Sequence, residues 1–191
     1  MTLQKNCLDA DQIFTIADFL SPSECDEYIA LSEGLGYEDA PITTAAGFVM
    51  AKDIRDNLRV MCDDFDLASR LYARLEPFMP PSRLNWDVCG LNERFRFYRY
   101  DVGQKFELHF DGAFERSLDE ISMFTFMIYL NDDFTGGETN FYVSNGRLRV
   151  SVKPEKGKAL VFWHRQLHEG APVIKGRKYV LRTDVMYRRN S

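Results

Sequence analysis

Histidine is the scarcest reactive side chain in this 191-residue protein, with three positions in all, and cysteine follows with four. Cys7, Cys25, Cys62 and Cys89 are widely spread, with no CxxC pair and no zinc-like spacing. That pattern excludes a disulfide framework and a structural zinc site, and it fits reduced, partly buried thiols. Positive charge is not in excess either. The 24 Lys and Arg residues face 29 Asp and Glu, a net charge of −5, so nothing in the balance attracts nucleic acid. No apolar run approaches the roughly 20 residues of a membrane span. The opening residues, Met1-Thr2-Leu3-Gln4-Lys5-Asn6, lack the apolar core of a signal peptide. The expectation is a cytoplasmic protein with no nucleic-acid or membrane partner; the sequence is silent on oligomeric state.

Apolar and aromatic residues are plentiful. They make up 45% of the chain, with 15 Phe, which is enough to build a core and too many for a disordered protein. The length suits one domain over 1–191, divided into a helical N-terminal support with candidate substrate loops (1–83) and a strand-rich core (84–191). Ser21-Pro22-Ser23-Glu24 is a helix start: Ser21 caps, Pro22 takes the first helical position and Glu24 closes a capping box. That helix ends near Gly34 or Gly36. A second fits 64–79, where Phe65, Leu67, Ala68, Leu71, Tyr72, Leu75 and Phe78 keep helical spacing until Pro80-Pro81 stops it. Strands are predicted at 94–100, 105–110, 121–130, 138–143, 147–153, 158–163, 168–174 and 178–187, separated by Gly, Asn, Asp or Pro. Eight short punctuated strands suggest a mainly β, antiparallel two-sheet jelly roll, with the helices on the outer face of one sheet.

Two of the three histidines fall in a pattern that metal chemistry can use. His109 and Asp111 are two residues apart, so a strand projects both toward one point. If His168 arrives from a later strand, two imidazoles and a carboxylate share one side of a metal, the facial arrangement of non-haem Fe(II) oxygenases. A lone histidine in a strand is more often structural than a ligand. Here His109 and Asp111 precede Gly112 at a strand end, which places them at a mouth. His164 is the competitor, four residues before His168 in a turn. On the strand 178–187, Lys178, Val180, Arg182 and Asp184 share one face, with Arg177, Tyr179, Leu181 and Thr183 on the other. A cation pointing into a barrel needs an anion, either a structural carboxylate or a bound one.

Several motifs then occur in one order. They are Tyr100 through Gly103-Gln104, Phe106 and His109-Phe110-Asp111; Tyr129-Leu130-Asn131; Gly136-Gly137-Glu138-Thr139; Pro154 through Gly157, Ala159 and Phe162; and His168-Glu169-Gly170-Ala171-Pro172-Val173 with Lys178. This order resembles the catalytic domain of prolyl 4-hydroxylase-type 2-oxoglutarate/Fe(II) dioxygenases over about residues 91–188. The resemblance implies a double-stranded β-helix, with Fe(II) held by His109, Asp111 and His168. It implies 2-oxoglutarate as cosubstrate, its distal carboxylate on Lys178 and Tyr129, with Tyr100 beside it and Thr125 and Met127 lining the same pocket. Arg177 is the rival cation, since some relatives use arginine at a neighbouring spacing. It also implies O2 as oxidant, ascorbate as a candidate reductant, and hydroxylation of an unactivated C–H bond coupled to decarboxylation of 2-oxoglutarate to succinate and CO2. The substrate would be a peptide, protein or amino acid. The alternatives are another small metabolite, or a non-catalytic jelly-roll sensor or scaffold. Arg55, Asn57 and Arg59 in the segment 37–60, and Arg182, are candidate substrate contacts. The loop 112–120 is a candidate lid.

Overall fold

The computed structural model describes residues 3–44 and 47–190, so residues 45–46 of the candidate substrate segment lie outside the described residues. Its principal elements, in chain order, are β1 (Gln4–Asp9), β2 (Ile13–Ala17), α1 (Pro22–Leu35), β3 (Leu58–Asp63), α2 (Phe65–Leu75), β4 (Trp86–Leu91), β5 (Arg94–Tyr100), β6 (Phe106–His109), β7 (Glu120–Tyr129), β8 (Thr139–Tyr142), β9 (Leu148–Val152), β10 (Ala159–Trp163), β11 (Leu167–Gly170) and β12 (Lys178–Arg189). The larger sheet runs β1-β2-β10-β7-β12-β5-β3, with Glu38–Asp39 on its edge and β4 paired to the far half of β12. The smaller sheet runs β6-β11-β8-β9. The two sheets form the jelly roll of a double-stranded β-helix.

Strand alternation sorts the larger sheet into two apolar layers. Outward, Phe95, Phe97, Phe124, Phe126, Leu181 and Val185 pack with Cys25 of α1 and with Leu67, Leu71 and Leu75 of α2. Inward, Tyr98, Tyr100, Tyr129, Phe162 and Val180 meet Phe141 of the smaller sheet. The helices therefore brace the outer face and leave the inner face to the site.

Local chemistry sets both helix starts. The Ser21 hydroxyl accepts from Glu24 N–H at 3.2 Å, while Glu24 Oε2 accepts from Ser21 N–H at 2.8 Å, which is the expected capping box. Asp64 caps α2 by accepting from Leu67 N–H at 2.8 Å. Gly36 ends α1 with φ of +84°, a conformation that glycine adopts at low cost.

Two features differ from the sequence expectation. Residues 1–83 are not only helical, because β1, β2 and β3 extend the larger sheet. In β2 the side chains of Ile13, Phe14 and Ile16 are all fully buried, so the strand shows no alternation to read. The run 168–174 is split into Leu167–Gly170 and Val173–Lys175, because Pro172 between them has no N–H to give a ladder.

Candidate metal and cosubstrate site

The smaller sheet brings the two histidines together. His109 on β6 and His168 on β11 are direct cross-strand partners, with ring centroids 4.2 Å apart. Asp111 lies just past the end of β6, and its N–H donates to His164 O at 3.3 Å. Its oxygens sit 3.7 Å from His109 Nε2 and 3.8 Å from His168 Nε2. One donor atom from each of the three residues falls within 4.8 Å of the others.

Backbone carbonyls decide which ring nitrogens are free. His109 Nδ1 lies 2.7 Å from Glu107 O, and His168 Nδ1 lies 2.9 Å from Gln166 O. A carbonyl only accepts, so each Nδ1 carries the proton and each Nε2 turns a lone pair inward. Burial, reinforced by the neighbouring His168 ring, pushes His109 down to about 3. Burial also lowers His168, so both rings are neutral near pH 7. For Asp111, burial alone raises the carboxyl, but Arg182 and the neighbouring imidazoles outweigh it and hold it well below the usual range. Arg182 Nη2 stands 2.9 Å from Asp111 Oδ1, and Thr125 donates to Oδ2 at 2.5 Å. Two neutral imidazoles and one oriented carboxylate are a donor set suited to a divalent first-row metal.

On the inner face of the larger sheet, cross-strand register builds the wall opposite the histidines. Lys178 pairs with Tyr100; Arg59, Tyr98, Val180 and Tyr129 form the next row; Arg96, Arg182 and Met127 form the third; Asp184 and Thr125 form the fourth. Lys178 is 2% exposed, and its ammonium donates to Gly137 O at 2.6 Å. It lies 5.0 Å from the Tyr100 ring centroid and 5.5 Å from that of Tyr129. Burial pushes Lys178 down to about 7. Tyr129 OH and Thr139 Oγ1 are 2.7 Å apart beside it. Lys178, Tyr100, Thr125, Met127 and Thr139 line one chamber with His109, Asp111 and His168. A second and larger chamber of about 520 Å³, the outer chamber, adjoins the first at His109 and Asp111. Its walls include Ile54, Arg55 and Arg59 from one flank and Gly112, Ala113 and Phe114 from the other.

Comparisons with known proteins bear on the family and the fold. The family model of the 2OG-Fe(II) oxygenase superfamily matches residues 95–183. Prolyl 4-hydroxylase 13 of Arabidopsis thaliana is 32% identical over 194 residues, covering 88% of this chain and 69% of that protein. The chain belongs to the prolyl 4-hydroxylase-like 2-oxoglutarate/Fe(II) oxygenases. It spans 60%, 48% and 66% of the length of three other Arabidopsis relatives, all called probable prolyl 4-hydroxylases. Among solved structures, the viral collagen prolyl hydroxylase of Paramecium Bursaria Chlorella virus-1, in its 2OG complex, superposes with a TM-score of 0.68 at 22% identity, covering 96% of this chain and 99% of that one. A Trichoplax adhaerens prolyl hydroxylase, in complex with a hypoxia inducible factor peptide fragment, gives a TM-score of 0.72 at 19% identity, covering 93% and 84%. At these identities the two structures speak to the fold.

Set within this oxygenase frame, the remaining candidates separate. Arg177 points away from the chamber that Lys178 lines: its Nε donates to Asp101 at 2.6 Å and its side chain is 47% exposed. The ring of His164 is buried outside the donor cluster, 3.8 Å from Asp184 Oδ1, and only its backbone carbonyl serves Asp111. Asn57 lies behind the outer chamber, accepting from Arg55 Nε at 2.7 Å and donating to Leu58 O at 2.8 Å. Thr125, expected to line the cosubstrate pocket, also fixes Asp111. Thr139, Tyr98, Arg96 and Asp184 were not among the expected site residues. Alternation supplies the signal for three of them: Tyr98 and Arg96 share the face of Tyr100, and Asp184 that of Arg182.

Proposed function

We propose that this protein is an Fe(II)- and 2-oxoglutarate-dependent dioxygenase that hydroxylates an unactivated C–H bond. The observation that carries the reading is the pairing of two sites across one chamber. One is a His109-Asp111-His168 donor set with its lone pairs turned inward. The other is a buried ammonium, Lys178, with no carboxylate hydrogen-bonded to it among the described residues. A buried cation held by one carbonyl and two aromatic rings is poorly compensated, and a dicarboxylate reaching from the metal supplies the missing charge. With metal and cosubstrate bound, the centre supplies the oxidation that couples decarboxylation of 2-oxoglutarate to substrate hydroxylation, with O2 as oxidant.

The chain's own residues perform the rest. Lys178 holds the distal carboxylate, Tyr100 packs alongside, and Tyr129 with Thr139 closes that end. Thr125 and Arg182 hold the Asp111 carboxylate from both oxygens. The Phe106 ring, stacked on His109 at 3.6 Å, keeps that imidazole in plane and screens it from water. The substrate enters from the outer chamber, between 54–59 and 112–114. A prolyl residue in a peptide is the substrate class suggested by the names of the relatives, with a free amino acid as the smaller member of the same proposal. Ascorbate as reductant and a cytoplasmic location belong to the same proposal; among the described residues no helix is long and apolar enough to cross a membrane.

Succinate formation that requires both Fe(II) and 2-oxoglutarate tests the proposal, measured for the wild type and for His109→Ala and Asp111→Ala. Both variants should lose it. Turnover at the wild-type rate in both would sink the assignment.

A further inference from the structure

The outer chamber carries more cation than its own carboxylates balance, although the chain as a whole is acidic. Arg55, Arg59, Arg96 and Arg182 line it, and the only carboxylates among its lining residues are Asp111 and Asp184. Asp111 belongs to the donor set. Asp184 is shared, 3.0 Å from Arg96 Nη1 and 3.6 Å from Arg182 Nη2. The two remaining guanidiniums have no carboxylate partner among the described residues. Arg55 is 5% exposed and sandwiched between Tyr98 and Phe106, with centroid distances of 4.7 and 4.6 Å. Its Nη2 is buried with no hydrogen-bond partner, as is Nε of Arg182. Arg59 sits beside Tyr98 in the cross-strand register, and it makes no ion pair among the described residues. The field these charges set up also reaches Tyr98: burial alone would raise its hydroxyl, but Arg182, Arg55 and Arg96 bring it down to about 8.

Buried guanidinium N–H groups left without acceptors are costly unless something fills them. The planar fork of arginine suits a carboxylate or phosphate bound through two oxygens. Lys178 is not in the outer chamber, so the distal carboxylate of 2-oxoglutarate does not meet this need. We infer that the outer chamber is an oxyanion site, and that the substrate presents a carboxylate or phosphate to Arg55 and Arg59 while its reacting carbon faces His109 and Asp111. The inference rests on the function proposed above and narrows its substrate class: an internal peptidyl proline between residues without acidic side chains offers these arginines neutral carbonyls but no anion.

The test uses full-length protein loaded with Zn(II), a diamagnetic stand-in for iron, and with 2-oxoglutarate, so that the donor set and Lys178 are already engaged. The arginine Nε–Hε resonances are followed by NMR during titration with inorganic phosphate, with acetate, and with acetamide as the neutral control. Phosphate or acetate should shift the Arg55 and Arg59 signals saturably, less tightly at high salt, and acetamide should not. Tighter phosphate binding marks a phosphorylated substrate, and tighter acetate binding a carboxylic acid. Arg59→Gln removes a guanidinium that balances no carboxylate, so the fold keeps its internal ion pairs; anion binding should weaken roughly tenfold. Absence of anion-dependent shifts, equal shifts with acetamide, or undiminished binding in Arg59→Gln would each overturn the inference. Formation of the Zn(II)–2-oxoglutarate complex, read beforehand by calorimetry, reports separately on the underlying functional proposal.

Discussion

Lys178 offers a prediction whose size follows from its burial. In the ligand-free fold its ammonium is pushed down to about 7 from an ordinary value of 10.5. At pH 8 such a group is only about one-tenth protonated. A carboxylate brought against it restores the charged form, so binding of 2-oxoglutarate should draw in about 0.9 proton per molecule at pH 8 and about 0.1 at pH 6. Above pH 7 the apparent affinity should fall by roughly tenfold per unit, since each binding event must first charge the lysine. Isothermal titration calorimetry of metal-saturated protein, in buffers of different ionisation enthalpy, measures the uptake directly. Lys178→Met should abolish the pH-dependent uptake and raise the 2-oxoglutarate requirement sharply. Uptake that is absent at pH 8 in the wild type, or unchanged in Lys178→Met, would refute the reasoning.

Further outcomes follow from the same geometry. Between pH 7 and 10.5 the ligand-free fold binds fewer protons at Lys178 than the unfolded chain does, so this group makes stability rise with pH across that window, by roughly 1.4 kcal/mol per unit, and adds no slope below it; denaturant unfolding of wild type against Lys178→Met should show the difference. Arg177→Ala removes an exposed pair with Asp101, and the 2-oxoglutarate concentration for half-maximal turnover should stay within about twofold of wild type. Thr125→Val deletes the 2.5 Å hydrogen bond to Asp111, and Fe(II) affinity should fall about 10- to 100-fold in a competition titration with a chelator. Gly157 has φ of +81°, and a Cβ there would collide with Leu20 O, so Gly157→Ala should lower the thermal midpoint markedly while a neighbouring Lys158→Ala should not.

Much of this arrangement was readable before the fold was known, for identifiable reasons. The strands of the core alternate apolar and polar residues, or cluster aromatics between Gly and Asp turns, so their positions follow from period and punctuation. The donor set followed from the two-residue step between His109 and Asp111 and from the scarcity of histidine. The choice of Lys178 over Arg177 required register: both adjoin the same turn, but adjacent residues face opposite sides of a sheet, and pairing of Lys178 with Tyr100 turns it inward. The arginine wall was less accessible. Arg59, Arg96 and Arg182 are distant in sequence and converge only because β3, β5 and β12 lie side by side. The strand β2 was missed because burial on both faces erases alternation.

The central claim is a metal and a dicarboxylate held together between the histidine pair and Lys178. Anaerobic titration of the Fe(II)-loaded protein with 2-oxoglutarate tests it most directly, read as a visible metal-to-ligand charge-transfer band. The account predicts a band that saturates at one 2-oxoglutarate per chain and is lost in Asp111→Ala. Tight Fe(II) binding with no band at saturating 2-oxoglutarate would contradict it.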